Sequence, residues 1–290
     1  MIKKRIIATV IVKDGIAVQS INFSKWLPLG KPSIAVDFFN DWGADEIILL
    51  DISATAAKKH ISENLVREVA GKCNIPLTVG GGISSVEQIK KLLGSGADKV
   101  SLNQSAFNNI SFIKKASEIF GNQCIVVSLD VLTDISGGHH IYNHLTKQTE
   151  KKDIFLYCTE LQKTGAGELF ITSVNRDGSG KGFEIELIKK ISQHLQIPVI
   201  ASGGAGNASD FTALFKETNA SGGSAANFFH FNEHAITIVK NRLMKEKINI
   251  RLETNFNYSE NPLNNDFRLI KKKDSVLEAM RFIKIEKEII

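Results

Sequence analysis

The sequence predicts a (β/α)8 TIM barrel built from two similar halves, an α/β fold followed by a C-terminal extension with one helix. The run Ile75-Pro76-Leu77-Thr78-Val79-Gly80-Gly81-Gly82-Ile83 has a twin 122 residues on, Ile197-Pro198-Val199-Ile200-Ala201-Ser202-Gly203-Gly204-Ala205-Gly206. The same spacing carries Gly43-Ala44-Asp45-Glu46-Ile47 onto Gly165-Ala166-Gly167-Glu168-Leu169. Strand-like and helix-like patterns alternate eight times in about 250 residues, the usual size of such a barrel. A doubly wound open sheet is the runner-up, but it rarely needs eight units in succession and leaves the half-chain repeat unexplained.

Strand-like runs fall near 5–12, 46–51, 76–80, 98–102, 124–130, 168–173, 198–202 and 222–226. Helical patterns fill the gaps near 32–42, 57–71, 85–95, 109–120, 152–164, 184–194, 208–216 and 232–246; Ile34, Phe38 and Phe39, for instance, share one helical face. Residues 1–253 are assigned to the barrel. The remainder, 254–290, opens with a polar, asparagine-rich linker. Lys271-Lys272-Lys273 then precedes Ser275-Val276-Leu277-Glu278, the spacing of a capping box, so a helix is expected over about 275–288. Its apolar residues, Val276, Leu277, Met280, Phe282, Ile283 and Ile285, are expected to dock on the barrel or on a partner.

Composition narrows the function classes. An apolar fraction of 43% is enough for a sizeable core. With 36 basic and 31 acidic side chains, the net charge of +5 is too small and too evenly spread for nucleic acid, which leaves small phosphorylated molecules as the default ligand. Cys73, Cys124 and Cys158 have neither metal spacing nor an even framework, which fits a reducing compartment. Neither a signal peptide nor a twenty-residue apolar span is present, so a cytoplasmic protein without a membrane partner is expected. No metal and no cofactor are expected.

In such a barrel the active site lies at the carboxyl ends of the strands. Those ends carry Ile11, Asp51, Gly80, Gly81, Gly82, Asn103, Asp130, Thr172, Ser173, Asp177, Ser202, Gly203, Gly204 and Asn227. Each glycine run ends a strand and leads into a helix, where backbone N–H groups can turn toward an anion. Two copies half a chain apart suggest two anion sites. Asp51 and Asp130 are the strongest acid/base candidates, each carried to the mouth by an apolar run; the alternative is a carboxylate that caps loop amides. At the opposite rim Arg5, Glu46, Lys99 and Glu168 sit near strand starts, two of each sign. Turned inward they would form a neutral ring closing the floor, and turned outward an ordinary solvated surface.

Three further features are weighed. Gly137-Gly138-His139-His140-Ile141-Tyr142-Asn143-His144 reads as a hairpin after strand 5. Alternation puts His140, Tyr142 and His144 on one face, which admits a metal site or a substitute general base, but a solvated hairpin is preferred. His230 is assigned to packing. Trp26 and Trp42 are assigned to a loop and a core helix.

Longer strings add a resemblance. Lys4-Arg5-Ile6-Ile7-Ala8, Leu50-Asp51-Ile52-Ser53-Ala54, Thr78 to Ile83, Gly96-Ala97-Asp98-Lys99-Val100-Ser101, Phe120-Gly121-Asn122-Gln123-Cys124, Arg176-Asp177-Gly178, Ile200 to Gly206 and Phe229-His230-Phe231 resemble the cyclase subunit of imidazole glycerol phosphate synthase, over about residues 1–253. The resemblance implies two phosphate sites at the mouth for a substrate phosphorylated at both ends. It also implies ammonia from a separate glutaminase subunit, entering through a gate of Arg5, Glu46, Lys99 and Glu168, with Asp98 and Gln123 near the glutaminase face. Substrate and phosphate contacts are expected at Asp51, Gly81, Gly82, Asn103, Thr172, Asp177, Gly178, Ser202, Gly203, Gly204 and Asn227. Of the family's two catalytic aspartates, Asp130 matches one, and the other position holds Ile11. Further departures are Gln19, Gln104, Val131-Leu132-Thr133, Asn219-Ala220-Ser221 and Asn227 itself, where the family has a phosphate-facing serine.

A retained gate with a substituted acid reads first as a paralogue that sends ammonia into amidino groups of surface glycans, beside a glutaminase and a third, amide-transferring protein. A cyclase of histidine biosynthesis is the second reading, and a non-catalytic ammonia conduit the third.

Overall fold

The computed structural model describes residues 3–232, 234–251, 262, 264–265 and 269–279. Eight parallel strands close a barrel in sequence order: β1 (Arg5–Lys13), β4 (Glu46–Asp51), β5 (Leu77–Gly80), β6 (Lys99–Leu102), β7 (Ile125–Thr133), β10 (Glu168–Ser173), β11 (Val199–Ser202) and β12 (Gly222–Ala225), with β12 pairing back onto β1. Closure removes both sheet edges, and it rules out the open sheet. The half-chain repeat is visible in the element boundaries, because β4 and β5 coincide with β10 and β11 at the 122-residue spacing.

The outer ring consists of α1 (Pro32–Asp41), α2 (Glu63–Ala70), α3 (Val86–Leu93), α5 (Ile110–Phe120), α6 (Ile154–Thr164), α7 (Ile185–His194), α8 (Ala208–Glu217) and α10 (Ala235–Lys245). Local chemistry explains where they start. Pro32 opens α1, Ser85 with Gln88 forms a capping box on α3, Asn207 with Asp210 does the same on α8, and Asp153 accepts from the amides of Phe155 and Leu156 on α6. Short helices α4 (Gln104–Asn108) and α9 (Asn227–Phe231) follow β6 and β12, one in each half.

Two expected helices are shorter than their patterns. The one expected over 57–71 is only α2, because residues 52–58 form turns in which the Asp51 carboxylate accepts from the amides of Ser53 and Ala54. The one expected over 232–246 starts at Ala235, after His234 takes a left-handed conformation (φ 54°).

The chain also adds strands outside the barrel. β2 (Ile16–Ile21) and β3 (Lys25–Gly30) form a hairpin on the end of β1; in its three-residue tip, 22–24, Asn22 and Phe23 are both left-handed and the Ser24 amide donates to the Ile21 carbonyl. β8 (His139–Asn143) pairs antiparallel with the end of β7 and with β9 (Gln148–Thr149), so the hairpin read from the glycine-rich stretch is present. α11 (Asp274–Ala279) falls where a terminal helix was expected. The rest of that helix, residues 280–288, and most of the linker lie outside the described residues.

Alternation along the strands sorts the side chains. Outward residues of β1 such as Ile6, Ala8, Val10 and Val12 join the large core between strands and helices. Inward residues from five strands, Ile7, Ile48, Val126, Phe170 and Ile200, form a separate apolar collar across the lumen.

Candidate active site

Below the collar, at the amino ends of the strands, the four predicted charges do turn inward. The Arg5 guanidinium donates to Glu46 at 2.7 Å and also to Glu168, while the Lys99 ammonium lies 3.1 Å from both glutamates. Thr78 Oγ1 donates to Glu46 at 2.7 Å. Both glutamate side chains are almost wholly buried, 2% and 7% exposed, so the solvent-facing alternative does not hold. Burial acts to lower the Arg5 pKa, but Glu168 and Glu46 outweigh it and the net shift is upward.

Above the collar the lumen opens into a cavity of about 870 Å³, within the range of small-molecule sites. Thr9, Ser101, Ser128 and Ser224 line its deep end, with Thr9 and Ser224 hydroxyls 2.6 Å apart. Ile11 and Asp130 line its upper part from β1 and β7, which are opposite one another in the ring. The Asp130 carboxylate accepts from Asn103 Nδ2 at 3.0 Å, and His144 Nδ1 lies 3.7 Å from the same oxygen.

Both glycine turns reach the cavity in conformations that only glycine tolerates here. Gly82 has φ +64°, and a Cβ on it would lie 1.8 Å from the Lys59 carbonyl; Gly204 has φ +100°, and its Cβ would lie 2.0 Å from that of Gly182. The helix ends behind them are already capped. Gln88 accepts from the amides of Ser84 and Ser85, and Asp210 from those of Gly206 and Asn207. The residues that line the cavity ahead of these helices are 81–84 and 202–206.

Comparison with known proteins bears on this geometry. Residues 5–235 match the model of the family described as "Histidine biosynthesis protein". The chain belongs to that family. It is 45% identical over 252 residues to imidazole glycerol phosphate synthase subunit HisF of Staphylococcus saprophyticus, which spans 87% of this chain and 100% of that protein. The HisF proteins of Flavobacterium johnsoniae and Streptococcus mutans are 42% and 39% identical, over 252 and 251 residues, with the same coverage.

Within this member of the histidine biosynthesis family, several predicted ligand residues are already engaged. Asp51 Oδ1 accepts from the Ser53 amide and hydroxyl and from the Ala54 amide, which is the loop-capping alternative, although the residue still lines the cavity. Asp177 accepts from Ser20 Oγ at 2.6 Å and from the Phe23 amide, holding the β2–β3 hairpin tip; burial raises its pKa, partly offset by these bonds. Asn227 donates to the Ser20 carbonyl and accepts from the Ser20 amide. Gly178 sits beneath, where a Cβ would lie 2.5 Å from the Ser20 carbonyl. These three form a latch on the hairpin. Thr172, Ser202, Gly81 and Gly203 line the cavity.

His144 also lines the cavity, so the solvated-hairpin reading fails for it. His140 instead meets Asp134 at 2.7 Å on the exposed part of the hairpin. No cluster of three or more His, Cys, Asp or Glu fit to hold a metal occurs among the described residues. The cavity-lining hairpin residues Ser20 and Phe23 are not among the residues singled out from the sequence, whereas the period-two alternation of residues 140–144 had already placed Tyr142 and His144 on one face. None of the helices among the described residues is long and apolar enough to cross a membrane.

Proposed function

We propose that this chain is the ammonia-using synthase subunit of a glutamine amidotransferase of the imidazole glycerol phosphate synthase type. It forms a heterodimer with a separate glutaminase subunit in the cytoplasm and acts on a small substrate phosphorylated at both ends. One observation carries the reading: a buried ring of four charges stands beneath an apolar collar, and the collar opens into a cavity with hydroxyls at its deep end and a glycine turn from each half of the barrel at its wall.

Each layer has a task in this reading. The ring of Arg5, Glu46, Lys99 and Glu168 excludes water and ions until its pairs part to admit ammonia. The collar then offers neutral ammonia no partner that would protonate it. The hydroxyls of Thr9, Ser101, Ser128 and Ser224 receive it at the deep end of the cavity. Glycine segments 81–82 and 203–204, with Asn103, Thr172 and Ser202, hold the ends of the substrate. Asp130, fixed by Asn103, moves protons at the reacting carbon.

The reaction named for the relatives is imidazole glycerol phosphate synthesis. Ile11 favours a second reading, in which the chain serves amidino-group formation on a surface glycan with a third, amide-transferring protein. An isoleucine cannot exchange a proton, and acid/base assistance is worth about 10²–10⁴-fold in rate. Complementation separates the two. Growth of a histidine auxotroph lacking its own cyclase subunit, supplied with this chain and its glutaminase, supports ring closure. No growth, with glutamine hydrolysis still stimulated by this chain, supports the glycan reading. Failure to stimulate any glutaminase would refute both.

A further inference from the structure

We propose that His144 is the second acid/base group of this site and works with Asp130 from the same side of the mouth. The inference rests on the reading above, that the barrel adds ammonia to a carbon of its substrate. Its His144 Nδ1 lies 3.7 Å from Asp130 Oδ2, the oxygen that already accepts from Asn103.

The position is built rather than incidental. In the β8–β9 turn, Asn143 Oδ1 accepts from the amides of Leu145 and Thr146, its Nδ2 donates to Glu150, and its carbonyl accepts from the Lys147 amide at 2.8 Å. On the other side Tyr142 packs edge-on against Phe23 of the β2–β3 hairpin, with ring centroids 6.3 Å apart. The imidazole between them is only 27% exposed and lines the cavity.

The other charged groups that line the cavity do not fill the role. Asp51 and Asp177 are tied to loop amides and hydroxyls, and Lys58, Lys59 and Lys147 are ammonium groups suited to holding anions. Across the ring from Asp130 stands Ile11. An imidazole is the side chain that takes and gives protons near neutral pH.

One proton shared by the pair is enough for addition. As the nitrogen lone pair forms the C–N bond, the π pair of the C=O bond moves to oxygen, which takes a proton from the His144 imidazolium. The new ammonium nitrogen loses a proton to the Asp130 carboxylate. Return of that proton from Asp130 to His144 restores both groups, and the net change is a proton moved from nitrogen to oxygen.

Two measurements on the full chain test this. In histidine-selective NMR spectra, with the signal assigned by H144Q, Asp130→Asn should shift the His144 imidazole resonance, which lies 3.7 Å from that carboxylate. In imidazole glycerol phosphate formation driven by ammonium salts, His144→Gln should lower kcat about 10–10²-fold with little change in KM and remove one limb of the pH profile. His140→Gln, on the exposed part of the same hairpin, should leave both unchanged. An unmoved His144 resonance in D130N, or an H144Q enzyme with wild-type kcat and pH profile, would overturn the proposal. Absence of turnover in the wild type would count against the ring-closure reaction instead, and the response of the His144 resonance to D130N would then decide for or against the pair.

Discussion

Replacing Lys99 by methionine removes one of the two cations from the floor while keeping most of the side-chain volume. The ammonium lies 3.1 Å from both oxygens of Glu46 and 3.1 Å from Glu168. At an effective dielectric near 20, each carboxylate at this distance attracts it by about 5 kcal/mol before desolvation. Most of that gain is offset, since stripping water from each ion costs several kcal/mol. Removing one partner of a buried pair typically costs about 3–5 kcal/mol. Here Arg5 remains on both glutamates and the Lys99 side chain is 20% exposed, so about 2–3 kcal/mol is expected. For a chain of this size that lowers Tm by roughly 4–10 °C. In the complex with its glutaminase, the glutamine hydrolysed per nitrogen incorporated should rise several-fold, while the ammonium-driven reaction stays within about two-fold of wild type. A fall in Tm with unchanged coupling would make the ring structural and refute the gate; an unchanged Tm would refute the energetic reasoning.

Ile11→Asp should raise imidazole glycerol phosphate formation by about 10²-fold, measured with ammonium salts, and an unchanged rate would deny that position any acid/base part. Gly82→Ala forces a Cβ to 1.8 Å from the Lys59 carbonyl at φ +64°, so calorimetric affinity for the phosphorylated substrate should fall at least ten-fold; equal affinity would place the phosphate elsewhere. Burial pulls the His230 pKa down to about 4, with the ring against Phe39 at 4.9 Å. The unfolded chain therefore binds this proton first as pH falls below about 6.5, and the folded protein loses stability down to about pH 4, by about 2–3 kcal/mol once the solvent-reaching part of the ring is discounted. His230→Phe should flatten that part of the stability profile in denaturant titrations at pH 7 and 4.5, and an equal slope in both proteins would assign the acid sensitivity to other groups.

What was legible in the sequence followed from periodicity. The eight barrel strands lie where apolar runs recur, and the 122-residue repeat predicted that β4–β5 and β10–β11 would take equivalent places. The ring of charges was legible for the same reason, because two acids at corresponding positions of the halves, Glu46 and Glu168, must end up in one layer. The hairpins were harder. Residues 16–30 carry little alternation between apolar and polar, and their structure depends on contacts far along the chain, from Ser20 and Phe23 to Asp177 and from Ser20 to Asn227. Asp177 and Asn227 line the cavity, as strand-end residues should, and their hydrogen bonds to the hairpin are the part that the sequence did not show.

Alternation also decides whether Ile11 truly stands at the mouth. Inward residues of β1 occur every second position: Arg5 in the ring, Ile7 in the collar, Thr9 at the deep end of the cavity and Ile11 above it. Glu168, Phe170 and Thr172 repeat the order on β10, as do Val126, Ser128 and Asp130 on β7 above the ring. A slip of one residue that moved Ile11 outward would also turn Arg5 away from Glu46 and expose Ile7 to the helices. Since Arg5 is held by both glutamates, the register is fixed; of the same-face neighbours of Ile11 on β1, Thr9 is bonded to Ser224 and Lys13 lies over the Trp26 ring rather than in the cavity lining. On the reading proposed above, the second acid/base group of this mouth comes from a loop, and the β8–β9 turn holds His144 3.7 Å from Asp130. A structure with substrate bound in which the imidazole swings away from Asp130 would break that chain of reasoning at its last link.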